Sequence, residues 1–230
     1  MTDLHTHILP GMDDGAQSVD EAIKMLHLEA EQGIDTVALT PHFYRQNESV
    51  SEFLVRRDAV WRELSQAVQG EKVPSMILGA EVAWMPGMSQ WPDLEQLCYQ
   101  NTKLLLVELP TTPWSGNVFT QLYGIENRRG IMPVIAHVDR HFHTQSRRNL
   151  YKLFAMGYPL QVSAEALLKF STRRKALELL KYSDGLLISD CHNLGARAPK
   201  LGAAMAVVEK KLGTRMARDI VAITDDVLQE

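Results

Sequence analysis

Five histidines, four carboxylates and two arginines carry most of the chemical potential of this chain, and nearly all of them fall at the ends of apolar runs. His5 and His7 stand two apart in Asp3-Leu-His-Thr-His7, and a Pro10-Gly11 turn then leads to Asp13-Asp14. Alternate residues of an extended segment point to one side, so a strand over Leu4 to Ile8 aims both imidazoles at one cation. Imidazole combined with carboxylate suits Zn, Mn or Fe better than Ca or Mg. A lone His-x-His is a weak signal, and the weight comes from the later strand ends. His42 closes Thr-Pro-His, Glu81 closes Gly-Ala-Glu, Glu108 follows Val107, His137 follows Ala136, and Asp190-Cys-His192 follows Ser189. A buried charge is costly without compensation, and a packed core has no reason to place an ionisable group at six of seven strand ends. Shared metal ligation supplies the reason. The pooled set, His5, His7, Asp14, His42, Glu81, Glu108, His137, Asp190 and His192, is too large for one ion. Three divalent cations set against four carboxylates and a bridging hydroxide leave a small positive balance that would attract a phosphate.

The elements that must position these residues are legible as alternating strands and helices. Strands are expected near Leu4 to Ile8, Ile34 to Thr40, Ser75 to Val82, Lys103 to Leu109, Met132 to Val138, Tyr158 to Ser163 and Gly185 to Asp190. Most are apolar on both faces, as parallel strands covered by helices are. Ser18 with Glu21, and Ser49 with Glu52, fit capping boxes. The helix after Ser18 is expected to bury Ile23, Leu26 and Ala30 and to stop at Gly33. Further helices are expected over Val50 to Gln69, Pro92 to Gln100, Asn117 to Arg129, Ser146 to Met156, Glu165 to Tyr182, Lys200 to Leu212 and Arg215 to Leu228. Seven strand-helix units in a single domain over residues 1–230 point to a parallel α/β barrel, with an open doubly wound sheet as the rival. Such barrels assemble their sites at the carboxyl ends of the strands, where the ionisable residues lie.

The bulk properties narrow the function. The 230 residues are 45% hydrophobic and 23% charged, enough for a sizeable core. A net charge of -4 offers no broad basic face for a nucleic-acid backbone. Two cysteines, Cys98 and Cys191, make no disulfide framework. The start lacks the pattern of a signal peptide and no apolar run reaches membrane-spanning length, so the expected compartment is the cytoplasm. His27 reads as a helix-surface residue, and His141 and His143 as loop residues. Asp13 reads as the turn residue beside the ligand Asp14.

Taken in order, His5-x-His7, Asp14, Thr-Pro-His42, Ala-Glu81, Glu108, Ala-His137 and Asp190-x-His192 resemble the motifs of the polymerase-and-histidinol-phosphatase (PHP) superfamily of metal phosphoesterases. Asp3-Leu-His-Thr-His-Ile-Leu-Pro-Gly-Met-Asp-Asp-Gly-Ala16, and Ser189-Asp-Cys-His-Asn with Arg197-Ala-Pro, resemble within it the CpsB/CapC/YwqE group of bacterial protein-tyrosine phosphatases. The resemblance runs over nearly the whole chain and implies a distorted (β/α)7 barrel with three metals, commonly manganese, sometimes iron, cobalt or zinc. It implies one metal on His5, His7, Glu81 and Asp190, a second on Glu81, Glu108 and His137, and a third on Asp14, His42 and His192. Arg140 and Arg197 correspond to phosphate-clamping arginines. The family's Ala-His-Pro-Glu-Arg stands here as Ala136-His-Val-Asp-Arg140, a departure that leaves the placement of Arg140 open.

The implied reaction is hydrolysis of phosphotyrosine by a metal-bridging hydroxide, with the tail of a bacterial tyrosine kinase controlling capsule or exopolysaccharide synthesis as substrate. Phe43, Tyr44, Trp84, Trp114 and Phe142 follow ligand-bearing strand ends and could wall a slot for the phenyl ring. Three rivals need separating. Cys191 and Arg197 have the C-x5-R spacing of cysteine-dependent phosphatases, but the flanking Asp190 disfavours a thiolate. A small phosphomonoester such as histidinol phosphate could replace the protein substrate. A catalytically silent phosphotyrosine-binding domain is the third.

Overall fold

The structure, a computed structural model, describes residues 1–182 and 185–228. Its strands are β1 (Thr2–Thr6), β2 (Thr36–Leu39), β3 (His42–Phe43), β4 (Ser75–Leu78), β5 (Glu81–Ala83), β6 (Leu104–Glu108), β7 (Met132–Ile135), β8 (Leu160–Ser163) and β9 (Gly185–Ile188). The helices between and after them are α1 (Val19–Glu31), α2 (Val50–Ala67), α3 (Gly116–Arg129), α4 (Arg147–Phe154), α5 (Ala164–Leu168), α6 (Phe170–Tyr182), α7 (Leu201–Leu212) and α8 (Thr214–Asp226). The fold is mixed α/β with parallel sheets.

One sheet has the order β1-β2-β4 and the other β3-β5-β6-β7-β8-β9. Two of the seven expected strand runs are interrupted, the second at Thr40-Pro41 and the third at Gly79-Ala80. Pro41 has no N–H to give to a ladder. Pairing nevertheless continues across both breaks: the Gly79 N–H donates to the Leu39 carbonyl at 2.9 Å and that of Glu81 to Pro41 at 3.0 Å. At the far side, the His7 N–H donates to the Cys191 carbonyl at 2.9 Å and the Asp190 N–H to His5 at 3.0 Å, so β1 also meets the segment that leaves β9.

A bulge in β1 determines where the first histidines point. Thr2 and Asp3 pair with Thr36 and Val37, but Thr6 pairs with Leu39, so the register shifts between Asp3 and Thr6. An extra residue in one strand turns the side chains beyond it to the opposite face. Leu4 therefore packs with Ala38, Leu106, Val134 and Ile188 in a small inner cluster that also holds Tyr99. His5 is linked to the same interior, since its Nδ1–H donates to Gln161 of β8 and Gln161 contacts Tyr99 Oη at 3.3 Å. The larger apolar cluster, including Val37, Leu39, Leu105, Val107, Ile135 and Leu187, lies under the helices.

The helices follow the expected signals with local corrections. At α2 the capping box is complete, with Ser49 and Glu52 exchanging bonds. At α1 Ser18 accepts from the Glu21 N–H, while Glu21 reaches back to the N–H of Gln17 rather than Ser18. The buried face of α1 is Ala22, Met25, Leu26 and Glu29, so Leu26 is placed as expected and Ile23 and Ala30 lie at its margin. That rotation brings Glu29 inward. The run Pro92 to Gln100 contains only a 3-10 turn, Leu94–Leu97. The expected helix over Glu165 to Tyr182 is two helices, because Lys169 is extended at φ -78° and ψ 127°. Thr172 Oγ1 donates to the Ala166 carbonyl, and the Arg173 guanidinium donates to those of Leu167 and Leu168, so the end of α5 is satisfied by side chains. Among the described residues no helix is long and apolar enough to cross a membrane.

Candidate metal centre

Glu81, wholly buried at the start of β5, faces four imidazoles. His137 Nε2 lies 2.7 Å from its Oε1, and His42 Nδ1, His5 Nε2 and His7 Nε2 lie 2.9, 3.2 and 3.3 Å from Oε2. Asp190 Oδ1 stands 3.8 Å from His5 Nε2, 3.7 Å from His7 Nε2 and 3.6 Å from His192 Nδ1. Glu108 approaches His137 Nε2 at 3.6 Å and His42 Nδ1 at 3.9 Å. At the mouth, Asp14 is 3.6 Å from His42 Nε2 and 3.4 Å from His192 Nε2. All nine candidate ligands from the sequence converge here.

Their donor atoms fall into three overlapping groups that could each hold an ion: His7, Asp14, His42 and His192; His5, His7 and Glu81; and His42, Glu81 and Glu108. These groups share His7, His42 and Glu81, whereas the set implied by resemblance shares Glu81 alone. Glu81 Oε2, His42 Nδ1 and His192 Nε2 are buried without a hydrogen bond. Buried polar atoms of native proteins are normally paired, and acceptor atoms converging without donors suit divalent cations.

Residues behind the imidazoles hold them in place. The His7 Nδ1–H donates to Asp13 Oδ2 at 2.6 Å, leaving Nε2 to face Glu81. The same Asp13 oxygen accepts the His42 N–H at 2.8 Å, and Oδ1 accepts the Gly15 N–H at 2.9 Å. Asp13 is thus more than a turn residue. Gly15 permits this loop, because a Cβ there would fall 2.0 Å from the His7 carbonyl oxygen. Gln161 performs for His5 what Asp13 performs for His7, at 2.7 Å from Nδ1. A ligand imidazole ordinarily gives its second nitrogen to such a partner, which orients the ring and raises its basicity. Among the described residues three non-glycines have positive φ, and two of them, His137 at 25° and Asp190 at 53°, are candidate ligands just past β7 and β9. Strained backbone of this kind concentrates at functional sites.

Electrostatics tie the cluster together. Burial opposes the charge on His7, but Asp13 and Glu81 outweigh it and raise its pKa to about 10. Burial also opposes charge on Glu81 and on Asp190, yet His5 with its neighbours holds both carboxyls well below the usual carboxylate range. His192 is pushed down to about 3 by burial and by His7. Burial and Glu81 raise Glu108. Among the imidazoles, His7 and His42 have their pKa raised, each by the neighbouring Glu81 against the opposing effect of burial.

Two arginines close the rim. Arg197 Nη2 lies 3.0 Å from both oxygens of Asp190, and Nη1 is 3.5 Å from Asp14 Oδ2. Arg140 Nη2 contacts Asp190 Oδ2 closely, and Nη1 is 3.9 Å from Glu108. Within the Val-Asp variation before Arg140, Asp139 anchors the loop. Asp139 accepts the Ser163 N–H and hydroxyl, each at 2.8 Å, which ties the 3-10 turn Val138–His141 to the end of β8.

The competing features are placed as clearly. Cys191 is wholly buried, with Sγ 3.4 Å from Glu29 Oε1, and burial together with Glu29 and Asp3 pushes its thiol far up. It faces away from the imidazoles, toward α1. Of the aromatics, Phe43, Trp114 and Phe142 are buried in the core, whereas Trp84 and Tyr44 are half-buried. The Tyr44 ring stacks on His42 at 5.4 Å. His141 is also a core residue, packed 4.8 Å from Trp114, and burial lowers its pKa to about 4. His27 is half-exposed, 3.3 Å from Glu71.

Sequence reasoning passed over Asp13 and Gln161. Asp13 carried a signal, being one of a pair of carboxylates soon after His-x-His. Gln161 carried none, since its role depends on a contact 156 residues distant.

The family model for capsular polysaccharide synthesis, CpsB/CapC, matches residues 1–228. Among curated proteins, the chain is 30% identical to the tyrosine-protein phosphatase YwqE of Bacillus subtilis, across 94% of this chain and 87% of that one. It is 25% identical to the tyrosine-protein phosphatase CpsB of Streptococcus agalactiae serotype III, across 96% and 94%. A solved structure from work on YwqE of Bacillus subtilis and CpsB of Streptococcus pneumoniae, described as metal-dependent tyrosine phosphatases, superposes with a TM-score of 0.86 at 26% identity, covering 100% of this chain and 94% of the other. A match of that extent, on a chain whose ionisable strand ends meet around Glu81, makes this protein a member of the CpsB/CapC family.

Proposed function

We propose that this protein is a metal-dependent protein-tyrosine phosphatase acting on the phosphorylated tail of a bacterial tyrosine kinase in capsule or exopolysaccharide synthesis. The observation that carries the reading is the convergence of four imidazoles on Glu81, beneath two arginines that flank Asp190. Three divalent cations fit the donor set, manganese first, with iron, cobalt or zinc as substitutes. One would be held by His5, His7, Glu81 and Asp190, a second by Glu81, Glu108 and His137, and a third by Asp14, His42 and His192. Bound there, such ions supply Lewis-acid charge and make water nucleophilic near neutral pH.

The chain's own groups have defined tasks. Asp13 and Gln161 keep the Nδ1 protons of His7 and His5, so that the Nε2 atoms remain available. Arg140 and Arg197 offer N–H donors at the rim, where they neutralise charge on a phosphoryl group entering beside Asp190. Tyrosine, with a pKa of about 10, leaves with less acid assistance than an alkyl alcohol. Tyr44, half-buried on His42, is available to wall the phenyl ring. The bonds linking β1 to the segment after β9 support a distorted (β/α)7 barrel of PHP type, formed as one domain over residues 1–230, with its site at the carboxyl ends of the strands. A kinase tail as substrate would place the enzyme in the cytoplasm.

The test is metal content together with turnover of a phosphotyrosyl peptide and of histidinol phosphate, before and after chelation. Three metals per chain, chelator-sensitive activity and preference for the peptide are expected. Activity with fewer than one metal per chain would overturn the trinuclear centre, and preference for histidinol phosphate would overturn the substrate.

A further inference from the structure

A cavity of about 240 Å³ adjoins the metal centre and shares Arg140, Arg197 and Asp190 with it. Its lining also includes three residues with no place in the reaction above: His143, Lys169 and Lys200. They come from separate parts of the fold. His143 follows the turn after β7, Lys169 occupies the break between α5 and α6, and Lys200 caps α7. The break matters here. Lys169 takes an extended conformation instead of continuing the helix, and Thr172 and Arg173 secure the carbonyls that this leaves.

The carboxylates of the cavity are already engaged. Asp139 receives two bonds from Ser163, Asp190 lies between the two arginines, and Glu165 Oε1 is 2.6 Å from Lys169 Nζ. The cations are not exhausted. Lys200 Nζ gives one bond, to the Ala196 carbonyl at 2.7 Å, and an ammonium group has three donors. Lys169 likewise retains donors beyond its ion pair. His143 is exposed and makes no hydrogen bond or ion pair among the described residues. In a chain of net charge -4, two lysines with spare donors and an exposed imidazole, brought from three parts of the fold to one concavity, are not a background property.

We propose that this cavity is a subsite for a second anionic group on the substrate, and that Lys169, Lys200 and His143 determine specificity for it. The group is a carboxylate or a second phosphate on the same peptide as the phosphotyrosine. The arginines that the cavity shares with the metal centre orient the scissile phosphate, and the lysines receive the neighbouring charge. The inference rests on the phosphatase reading and adds to it a substrate class: acidic or multiply phosphorylated tyrosine segments.

The experiment compares kcat/KM of the full, manganese-loaded chain on three phosphotyrosyl peptides, with neutral flanks, with flanking Asp and Glu, and with a second phosphotyrosine. Wild type should favour a charged peptide over the neutral one by roughly tenfold, less at high salt. The peptide with the greater preference identifies the group. The K169A/K200A variant should lose that preference while turning over the neutral peptide as wild type does. Equal turnover of the three peptides by wild type, or a preference that survives in K169A/K200A, overturns the subsite. If no phosphotyrosyl peptide is turned over at all, the phosphatase reading fails separately. The subsite is then judged by fluorescence anisotropy of the same peptides, where a charged-peptide preference lost in K169A/K200A supports it and an unchanged one refutes it.

Discussion

Asp13 Oδ2 lies 2.6 Å from His7 Nδ1 and 2.8 Å from the backbone nitrogen of His42, so one carboxylate oxygen holds a candidate ligand just past β1 and another that opens β3. Replacing Asp13 by Asn keeps the size but weakens the hold on the His7 ring. Metal affinity of D13N should drop by about 10- to 100-fold, as for other partners of ligand imidazoles. Competition with a chromophoric chelator measures this directly, and unchanged affinity would remove Asp13 from the supporting structure.

Glu81 is the group on which most of the cluster depends. E81Q replaces a buried carboxylate surrounded by imidazoles with a neutral amide. Metal per chain should fall by at least one ion, and kcat should fall by more than about 100-fold. Elemental analysis and turnover on an aryl phosphate, run on the same sample, provide the check. Full metal content with full activity would be incompatible with a bridging position.

Arg197 reaches both oxygens of Asp190 through one nitrogen and Asp14 through the other. R197A should lower kcat/KM by roughly 100-fold, and R197K should recover little, because an ammonium group cannot reproduce the planar fork. Metal content should stay near wild type in both. Recovery by Lys would show that charge alone, without geometry, is what the position supplies.

His141 gives the pH dependence. Its pKa is about 4 in the folded chain against 6.5 for the free group, so between those values the unfolded state binds the extra proton. Stability then rises with pH across this window: the full contribution is present above pH 6.5 and is lost progressively toward pH 4. For a side chain this buried the loss between pH 7 and pH 5 is about 2 kcal/mol. Urea denaturation of wild type and H141F, both in chelator, should show a smaller loss in the variant. Equal losses would mean that His141 does not titrate as its burial implies.

Cys191 offers a test that separates mechanisms. With its sulfur against Glu29 and its backbone in the link between β1 and the segment after β9, C191S should retain activity within about threefold. A large loss in a protein that still holds its metals would favour a thiolate nucleophile.

The candidate ligands were legible because residue type and position along the chain both point to them. Parallel strands deliver their functional residues toward the carboxyl end: Glu108 closes β6, His137 and Asp190 lie just past β7 and β9, and His42 and Glu81 follow β2 and β4 across the breaks and open β3 and β5. What escaped depends on contacts remote in sequence or on small backbone irregularities. The bulge between Asp3 and Thr6 decides that both Leu4 and His5 reach the interior, and no residue type announces it. Glu29 falls outside the expected buried face of Ile23, Leu26 and Ala30, yet α1 is rotated so that it meets Ser189 and Cys191. The break at Lys169 opposes a strong helical pattern, and the side chains of Thr172 and Arg173 make it tolerable.

The burial of Cys191 has a physiological corollary. Peroxide attacks exposed thiolates, which is how phosphatases with a cysteine nucleophile are switched off by oxidative stress. Here the thiol is both shielded and held protonated, and Cys98 is buried too. Dephosphorylation by this enzyme should therefore continue through an oxidant burst that leaves its metals in place, separating its activity from the redox state of the cell's thiols.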